Sequence, residues 1–298
     1  MKKRWLLNLA LIALLATLSL VAFYQPGQKK EPAGTPLTEL TTDSVQRIRL
    51  QRGRQPEIVL EKSGEQWRMT APRVARASEY RVRELLRLAT TPVQTHFTPA
   101  AGALGTYGLE APGSTVWLND TALRFGGMHP LENNVYVLSG QKVWLVPGAH
   151  LRAAQSGLED LLSPNLLDDQ AKIQALRFPG FSLKQNEQGA WVRTPELKTL
   201  SSDRVNRFVE EWRLARALLV APAAGKAARE RVTITILRHD KPVAIEFGVI
   251  TRKPELVLVR YDEKLEYHFP EDVGARLLDL QPDPEPPATA EPGREKGN

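Results

Sequence analysis

The sequence predicts an α+β protein made of two tandem related modules, each a mostly antiparallel β-sheet with two helices, behind one N-terminal transmembrane helix. Three observations lead to this prediction. A long apolar run follows the first basic residues, short β-like runs separated by turn residues recur along the chain, and an amphipathic helical pattern occurs twice. The matched positions, each pair 123 residues apart, are Ser78 with Ser201, Val82 with Val205, Leu85 with Phe208, Leu86 with Val209 and Ala89 with Trp212.

Residues 1–28 are predicted to form a membrane anchor. Lys2, Lys3 and Arg4 precede an apolar run at 5–24, and roughly 20 helical residues span the hydrocarbon core of a bilayer. A cleaved signal peptide would have an apolar region of about 7–15 residues and a small-residue cleavage site, whereas this run is longer. A cleaved signal and a buried helix are the alternatives.

The charges that flank the apolar run predict its orientation. Basic residues beside a first transmembrane helix tend to stay in the cytoplasm, so the N-terminus is predicted to be cytoplasmic. The bulk of the chain would then lie in the periplasm of a bacterium, held by a single pass through the inner membrane. The chain has no cysteine, which excludes a lipoprotein anchor, a disulfide framework and thiolate metal sites.

The net charge of +6 comes mainly from the N-terminal region. Without the five basic residues of positions 1–30, the chain has 35 basic and 34 acidic residues. A nucleic-acid-binding protein normally has a one-sided basic stripe, and here acids and bases are interspersed. The sequence therefore predicts no nucleic-acid partner.

The rest of the chain divides into four predicted parts, which are a spacer at 29–42, a first module at 43–168, a second module at 169–280 and a disordered, proline-rich tail at 281–298. In the first module, Ser78 is the predicted N-cap of the first helix, and a second helix is predicted over 151–162. In the second module, the helices are predicted at 201–214 and 272–280. Trp67 and Trp191 hold equivalent positions in the two modules and are predicted to fill the core.

No motif in the sequence points to catalysis. The five histidines lie in different predicted elements, and nucleophile elbows and phosphate-binding glycine loops are absent. We therefore predict no catalytic, cofactor or metal site, and a protein that is not an enzyme. A hydrolase with a site assembled from distant residues is a third alternative, and it would need groups such as His129 and Glu132 to converge in a cleft.

The segment at 126–137 is the most unusual local sequence and the candidate binding loop. Polar and aromatic residues on a loop beside a rigid sheet are a common binding arrangement. A wide hairpin connection without a binding role is the alternative. The candidate residues are His129, Glu132, Asn133, Asn134 and Tyr136.

The order of several short motifs resembles the domain of unknown function 4340 family over roughly 43–280. These motifs are Trp67 followed by Pro72, the helix at 82–89, Tyr107-Gly108-Leu109 with Pro112, Phe125-Gly126, and Tyr136-Val137 followed by 143–146. The second module departs from the pattern, since the alanine-rich segment 221–228 replaces the Tyr-Gly-Leu element. The resemblance implies a membrane-anchored bacterial envelope protein, with some relatives that accompany ABC-type transport systems, and it supplies no catalytic residues.

Taken together, these features predict a non-enzymatic periplasmic binding or scaffolding component of an envelope assembly, accessory to a transport complex. Two modules would offer a partner either a cleft between them or a free sheet edge. The alternative is a periplasmic carrier for a lipid or glycan. A deep apolar cavity would favour the carrier, and a filled core with an exposed apolar edge would favour partner binding.

Overall fold

The computed structural model describes Trp5, Asn8 and residues 11–19, 34–238 and 240–281. Residues 11–19 are helical and exposed. Among the described residues, no helix has both the length and the apolar character needed to cross a membrane. Nine of the 20 residues of the predicted span at 5–24, and the whole predicted tail except Gln281, lie outside the described residues.

The first sheet has nine strands, and every strand pair in it is antiparallel. Its strands are β2 (Arg47–Arg52), β3 (Ile58–Ser63), β4 (Gln66–Ala71), β5 (Ala75–Arg76), β7 (His96–Phe97), β8 (Ser114–Leu118), β9 (Thr121–Met128), β10 (Asn134–Ser139) and β11 (Lys142–Pro147). Their order is β5-β4-β3-β2-β8-β9-β10-β11-β7. Two short strands, β1 (Thr35–Pro36) and β6 (Pro92–Val93), pair separately.

The second sheet has eight strands and is also antiparallel throughout. Its strands are β12 (Lys172–Arg177), β13 (Ser182–Gln185), β14 (Trp191–Thr194), β15 (Leu219–Pro222), β16 (Glu230–Arg238), β17 (Lys241–Thr251), β18 (Glu255–Arg260) and β19 (Leu265–Pro270). The order is β14-β13-β12-β16-β17-β18-β19-β15. From β4 to β7, the first sheet therefore follows the same strand order as the second. The predicted α+β class with mostly antiparallel sheets is confirmed.

Helices pack on both sheets. They are α1 (Glu79–Thr90), α2 (Ala149–Ala154), α3 (Leu158–Leu161), α4 (Ser202–Leu214) and α5 (Glu271–Leu278), with short 3-10 helices at Thr42–Ser44 and Ala103–Tyr107.

The two long helices bury the faces that the apolar pattern predicted, with one exception in α1. Val205, Phe208, Val209 and Trp212 of α4 are all buried, as predicted. In α1 the buried set contains Leu88, whereas Leu86 is only half-buried. Both leucines lie next to the apolar face of α1, so the helical periodicity alone does not predict which of the two is buried.

The caps of these helices differ. The Ser201 hydroxyl accepts a hydrogen bond from the Arg204 amide at 3.3 Å and caps α4. Ser78 is the N-cap residue of α1, as predicted, but its side chain makes no capping bond. Ser78 is buried, and its backbone N–H donates to the Leu161 carbonyl at 2.8 Å.

The single helix predicted over 151–162 is wrong, because α2 and α3 are separate. The chain is extended at Gly157, which stands before α3, and the Asp160 carboxylate accepts a hydrogen bond from the Gly157 amide at 2.8 Å. Glycine is a poor helix former, and a new N-terminal cap at this position favours the start of a second helix over the continuation of α2. The predicted connection after Phe125 is also shorter, because β9 continues to Met128.

The core is continuous across both sheets. One cluster of buried apolar side chains includes residues of both sheets and of the five helices. Trp67 is buried in it, which agrees with the prediction, and Trp191 is half-buried against it. The Trp212 indole N–H donates to the Leu277 carbonyl at 2.7 Å and ties α4 to α5.

A Phe-Gly pair recurs where a connection crosses the outer face of each sheet. Phe125 and Phe247 are fully buried, and each is followed by a glycine. A Cβ on Gly126 would collide with the Tyr107 carbonyl oxygen and lie 2.9 Å from Leu109. A Cβ on Gly248 would lie 2.7 Å from the Ala228 Cβ. The Tyr-Gly-Leu element and the alanine-rich segment thus occupy comparable places, since each depends on a glycine for close approach.

We expect Gly126→Ala to lower the free energy of unfolding by about 1–3 kcal/mol, as overpacking of a tight contact does. Gly127→Ala is the matched control, because a Cβ there would lie 3.6 Å from the Tyr107 oxygen, an ordinary contact. Urea unfolding of both variants measures the difference. Equal stability of the two variants would contradict the proposed close packing.

Candidate functional site

The segment at 161–166 joins the two sheets and is hydrogen-bonded on both sides. On one side it pairs with residues 76–78, and on the other with 215–217. The bonds are Ser78 N to Leu161 O at 2.8 Å, Ser163 N to Arg76 O at 3.0 Å, Leu166 N to Ala215 O at 3.0 Å and Ala217 N to Pro164 O at 2.9 Å. This linker therefore holds the edge of the first sheet beside the second.

Arg76, at the end of β5, extends from the first sheet into the second and is buried there. Its Nε donates to Glu263 at 2.8 Å, and one Nη donates to the Tyr267 hydroxyl at 3.1 Å. The same Nη donates to the Asn165 carbonyl at 2.7 Å, and the other lies 3.4 Å from Asp168. The guanidinium thus contacts the second sheet and the linker together.

A second buried arginine completes the cluster. Arg260 is 1% exposed, and its guanidinium donates to the Leu166 carbonyl at 2.6 Å and to the Asp262 carboxylate at 2.8 and 2.9 Å. Its Nε also lies 3.7 Å from Glu263. Glu263 is therefore placed between two arginines, and it accepts a further bond from the Tyr267 hydroxyl at 2.8 Å.

The pKa values of this cluster lie far from neutrality. Burial alone would raise the pKa of Glu263, but the charges of Arg76 and Arg260 and the bonds from Arg76 and Tyr267 outweigh burial and hold that pKa at about 2. Burial would lower the pKa of Arg76, and the Glu263 charge outweighs this so that the pKa is raised. Burial raises the pKa of Tyr267. These three groups do not exchange protons near pH 7, so they suit a structural role better than acid–base catalysis.

Two adjoining cavities lie along the outer side of this contact, and we name them together the seam groove. One, of about 150 Å³, is lined by Arg76 and by Asp168 and Asp169 of the linker region. The other, of about 440 Å³, is lined by Arg81, Leu218 and Leu219. Both are lined by Ser78, Tyr80, Pro164 and Arg216. The groove is thus formed by both sheets and the linker.

The rim of the seam groove is apolar and exposed. Tyr80 is 53% exposed, Leu218 80% and Leu219 46%. Arg216 lies between the two cavities, is exposed, and its side chain makes no ion pair or hydrogen bond with the part of the chain that the structure describes. Neighbouring apolar residues that stay exposed beside an unpaired cation are typical of a contact surface.

The predicted binding loop lies elsewhere, and its residues do come together. His129, Glu132 and Asn133 are in the connection between β9 and β10, whereas Asn134 and Tyr136 belong to β10 itself and not to a loop. His129 Nδ1 accepts hydrogen bonds from the amides of Leu131 and Glu132 at 3.3 and 3.2 Å, and its ring lies 5.6 Å from that of Tyr136. The Asn134 amide donates to the Glu132 carboxylate at 2.7 Å. The Asn133 carbonyl accepts from the Gly148 amide at 2.8 Å. These bonds are used within the hairpin and its surroundings, and the binding role of the loop stays a prediction.

Among the described residues, no group of three or more histidine, aspartate or glutamate side chains could hold a metal ion. His239 lies outside them. His150 has a pKa lowered by burial, and its Nε2 lies 3.4 Å from the Thr91 hydroxyl.

The family model for the domain of unknown function DUF4340 matches residues 67–231, which is more than half of the chain. The chain belongs to the DUF4340 family. The part that matches the DUF4340 model includes Arg76, the linker, α1 and α4, and most of the residues that line the seam groove. Comparison with curated proteins and with solved structures finds no match.

We expect Arg76→Ala to lower the free energy of unfolding by about 3–5 kcal/mol, because it leaves the Glu263 carboxylate buried without its main partner. Arg87→Ala, which breaks the exposed pair with Glu84, is the control and should cost less than about 1 kcal/mol. Replacing Arg76 and Glu263 together by leucine should recover much of the loss. If Arg76→Ala is as mild as Arg87→Ala, the cluster does not hold the sheets together.

The depressed pKa of Glu263 also predicts a pH dependence. Its folded-state pKa of about 2 is below the reference value of 4.5, so the stability it contributes is present above about pH 5 and is lost as the pH falls towards 2. That contribution is on the order of 3 kcal/mol. In urea unfolding between pH 5 and pH 2.5, the gap in stability between the wild type and Glu263→Gln should narrow. Parallel curves would show that Glu263 is not held ionised by its neighbours.

Proposed function

We propose that this protein is a non-enzymatic binding or scaffolding component of a bacterial envelope assembly, accessory to a transport complex, and that it holds a protein partner in the seam groove. One observation carries the proposal, which is the exposed apolar rim of Tyr80, Leu218 and Leu219 above a rigid, buried ion cluster.

The rigidity of the cluster supports a binding role. Arg76 and the linker contact both sides of the groove, so its walls are preformed and a partner would lose little free energy in ordering them. Interface hot spots favour aromatic and arginine side chains surrounded by apolar contacts, and Tyr80 and Arg216 fit this pattern.

The packing of the interior favours a protein partner over a lipid or glycan. The continuous core is filled by side chains that are almost completely buried, and the seam groove is open and lined by several charged residues. A carrier would be expected to enclose an apolar ligand in a deep cavity. A filled core with an exposed apolar edge is the arrangement expected of a protein that binds other proteins.

We infer that the two sheets are tandem related modules, with bounds at 43–168 and 169–280. Several features support this. The strand order from β4 to β7 matches that from β14 to β15, and α1 and α4 begin 123 residues apart, as do β11 and β19. The two Phe-Gly pairs also lie on corresponding strands, β9 and β17.

The membrane placement is a further part of the proposal and is supported by sequence alone. The basic start and the apolar run at 5–24 favour a single-pass inner-membrane anchor with a cytoplasmic N-terminus and a periplasmic bulk. In that placement the seam groove would be open to other periplasmic domains.

Site-specific photocrosslinking in the native envelope tests the proposal. A photoreactive residue in place of Leu218 should capture envelope or transport proteins, whereas one in place of Val74, which is 62% exposed and lines neither cavity of the seam groove, should not. With the captured protein purified, Leu218→Ser should weaken binding by about tenfold or more, and Val74→Ser should leave it unchanged. Equal effects at both positions would reject the groove. Lipid or glycan in place of captured protein would favour the carrier alternative.

A further inference from the structure

The N-terminus of α1 opens into the seam groove. The first intrahelical bond of α1 runs from the Val82 amide to the Ser78 carbonyl at 2.9 Å. The amides of Glu79, Tyr80 and Arg81 precede that bond, and they have no acceptor in the part of the chain that the structure describes. All three residues line the groove. Three main-chain donors are therefore available at this end of the helix.

Ser78 is placed to cap these amides but does not cap them. It is 6% exposed and lines both cavities, and its hydroxyl makes no hydrogen bond with any described residue. The linker accounts for this, because the Leu161 carbonyl accepts the Ser78 amide and the ψ of Ser78 is 109°. Ser201, at the corresponding position of α4, has a ψ of 155° and does cap its helix. A buried hydroxyl without a protein partner, beside uncapped helical amides, indicates a ligand site.

The charges along this part of the groove leave room for one added negative charge. A helix N-terminus carries roughly half a positive charge. Arg216 adds a full positive charge, and no described side chain pairs with it. Glu79, in the first turn, lies 3.7 Å from Arg83, and acids such as Asp169 and Glu159 keep the net charge of the groove low. The site therefore suits a singly charged carboxylate better than a phosphate group, which carries about 1.5 to 2 negative charges near neutral pH.

We propose that the N-terminus of α1 and Arg216 form a carboxylate-binding subsite of the seam groove. The amides of Tyr80 and Arg81 and the Ser78 hydroxyl donate hydrogen bonds to the carboxylate oxygens, and Arg216 supplies the opposite charge. The protein partner presents an aspartate, a glutamate or a C-terminal carboxylate to this subsite. The source of the carboxylate rests on the proposed function, whereas the subsite itself does not.

Titration of the full chain with acetate tests the subsite without any partner. Backbone amides are followed by NMR spectroscopy in detergent micelles at constant ionic strength. We expect the amide protons of Tyr80 and Arg81 to shift downfield and to saturate, and the neutral isostere acetamide to leave them unchanged. The Arg204 amide is the internal control, because it corresponds to Arg81 and already donates to the Ser201 hydroxyl at 3.3 Å. Equal shifts at Arg81 and Arg204, or equal effects of acetate and acetamide, would overturn the proposal.

Two variants test the assigned donors. Arg216→Gln should weaken acetate binding at least about fivefold, and Ser78→Ala about threefold. Since the Ser78 hydroxyl makes no bond with a described residue, Ser78→Ala should also keep the unfolding midpoint of the wild type. Arg87→Gln changes an exposed arginine near the other end of α1, so it is the control and should leave acetate binding unchanged. Wild-type affinity in Arg216→Gln or in Ser78→Ala would overturn the assignment of that donor.

Phosphate in place of acetate tests the choice of anion. The subsite should bind phosphate no more tightly than acetate, because the acids that line the groove oppose a second negative charge. Phosphate binding more than about tenfold tighter than acetate binding would overturn the assignment to a carboxylate.

The partner captured by photocrosslinking separates the subsite from the proposed function. Arg216→Gln should weaken binding of the captured protein and should reduce the dependence of its affinity on salt. Binding that does not respond to salt would overturn the acidic partner. If acetate binds as expected but Leu218 captures no envelope protein, the subsite stands and the proposed function fails. If Leu218 captures a protein but acetate leaves the Tyr80 amide unmoved, the proposed function stands and the subsite fails.

Discussion

The ion pair between Arg76 and Glu263 joins residues that are 187 positions apart in the chain, and the relation of the two sheets depends on it. Burying either charge alone would be costly, since water solvates ions far better than a protein interior does. The cluster offsets this cost by giving each charge several partners. Glu263 has two arginines and a tyrosine, and Arg76 has two carboxylates, a hydroxyl and main-chain carbonyls. A partial version of this cluster would be worse than an apolar contact, so all of its members are needed together.

The seam groove follows from the same arrangement. The linker runs over the cluster, and its carbonyls at Asn165 and Leu166 accept bonds from the two buried arginines. This fixes Pro164 and its neighbours as the floor of the groove, while Tyr80 and Leu218 stand exposed on either side. The charged interior and the apolar rim therefore have separate roles. The ion cluster sets the shape of the groove, and in the proposed function the apolar rim supplies contact area for a partner.

The sequence predicted most of the local structure but not the contact between the sheets. The apolar pattern identified the buried face of α4, and the antiparallel class followed from the spacing of short strands. The sequence did not identify the buried ion cluster, because no local spacing connects Arg76 to Glu263. One signal was available in β18, where Arg260 continues the inward alternation of Leu256 and Leu258. A charged residue at an inward position implies a buried partner.

The candidate binding loop shows another limit of prediction from sequence. The unusual sequence around His129 predicts a binding element. In the structure His129 makes its hydrogen bonds locally, and its ring lies at a tilt against Tyr136, which contacts Tyr107 in the same way. Sequence can mark a segment as unusual, but whether its polar groups are already paired depends on the hairpin geometry. The groove residues Tyr80 and Leu218 carry no such mark, since an isolated exposed apolar residue is ordinary.

The double-sided pairing of the linker has a mechanical consequence. A hinge would have to break main-chain bonds on one side of residues 161–166 as well as the bonds of Arg76, so bending at this point is opposed by several interactions at once. A force on one sheet is then transmitted to the other as shear along the paired segments, and several main-chain hydrogen bonds bear that force together. The two sheets should therefore transmit tension as one stiff unit, and a partner held at the seam would move with both halves together.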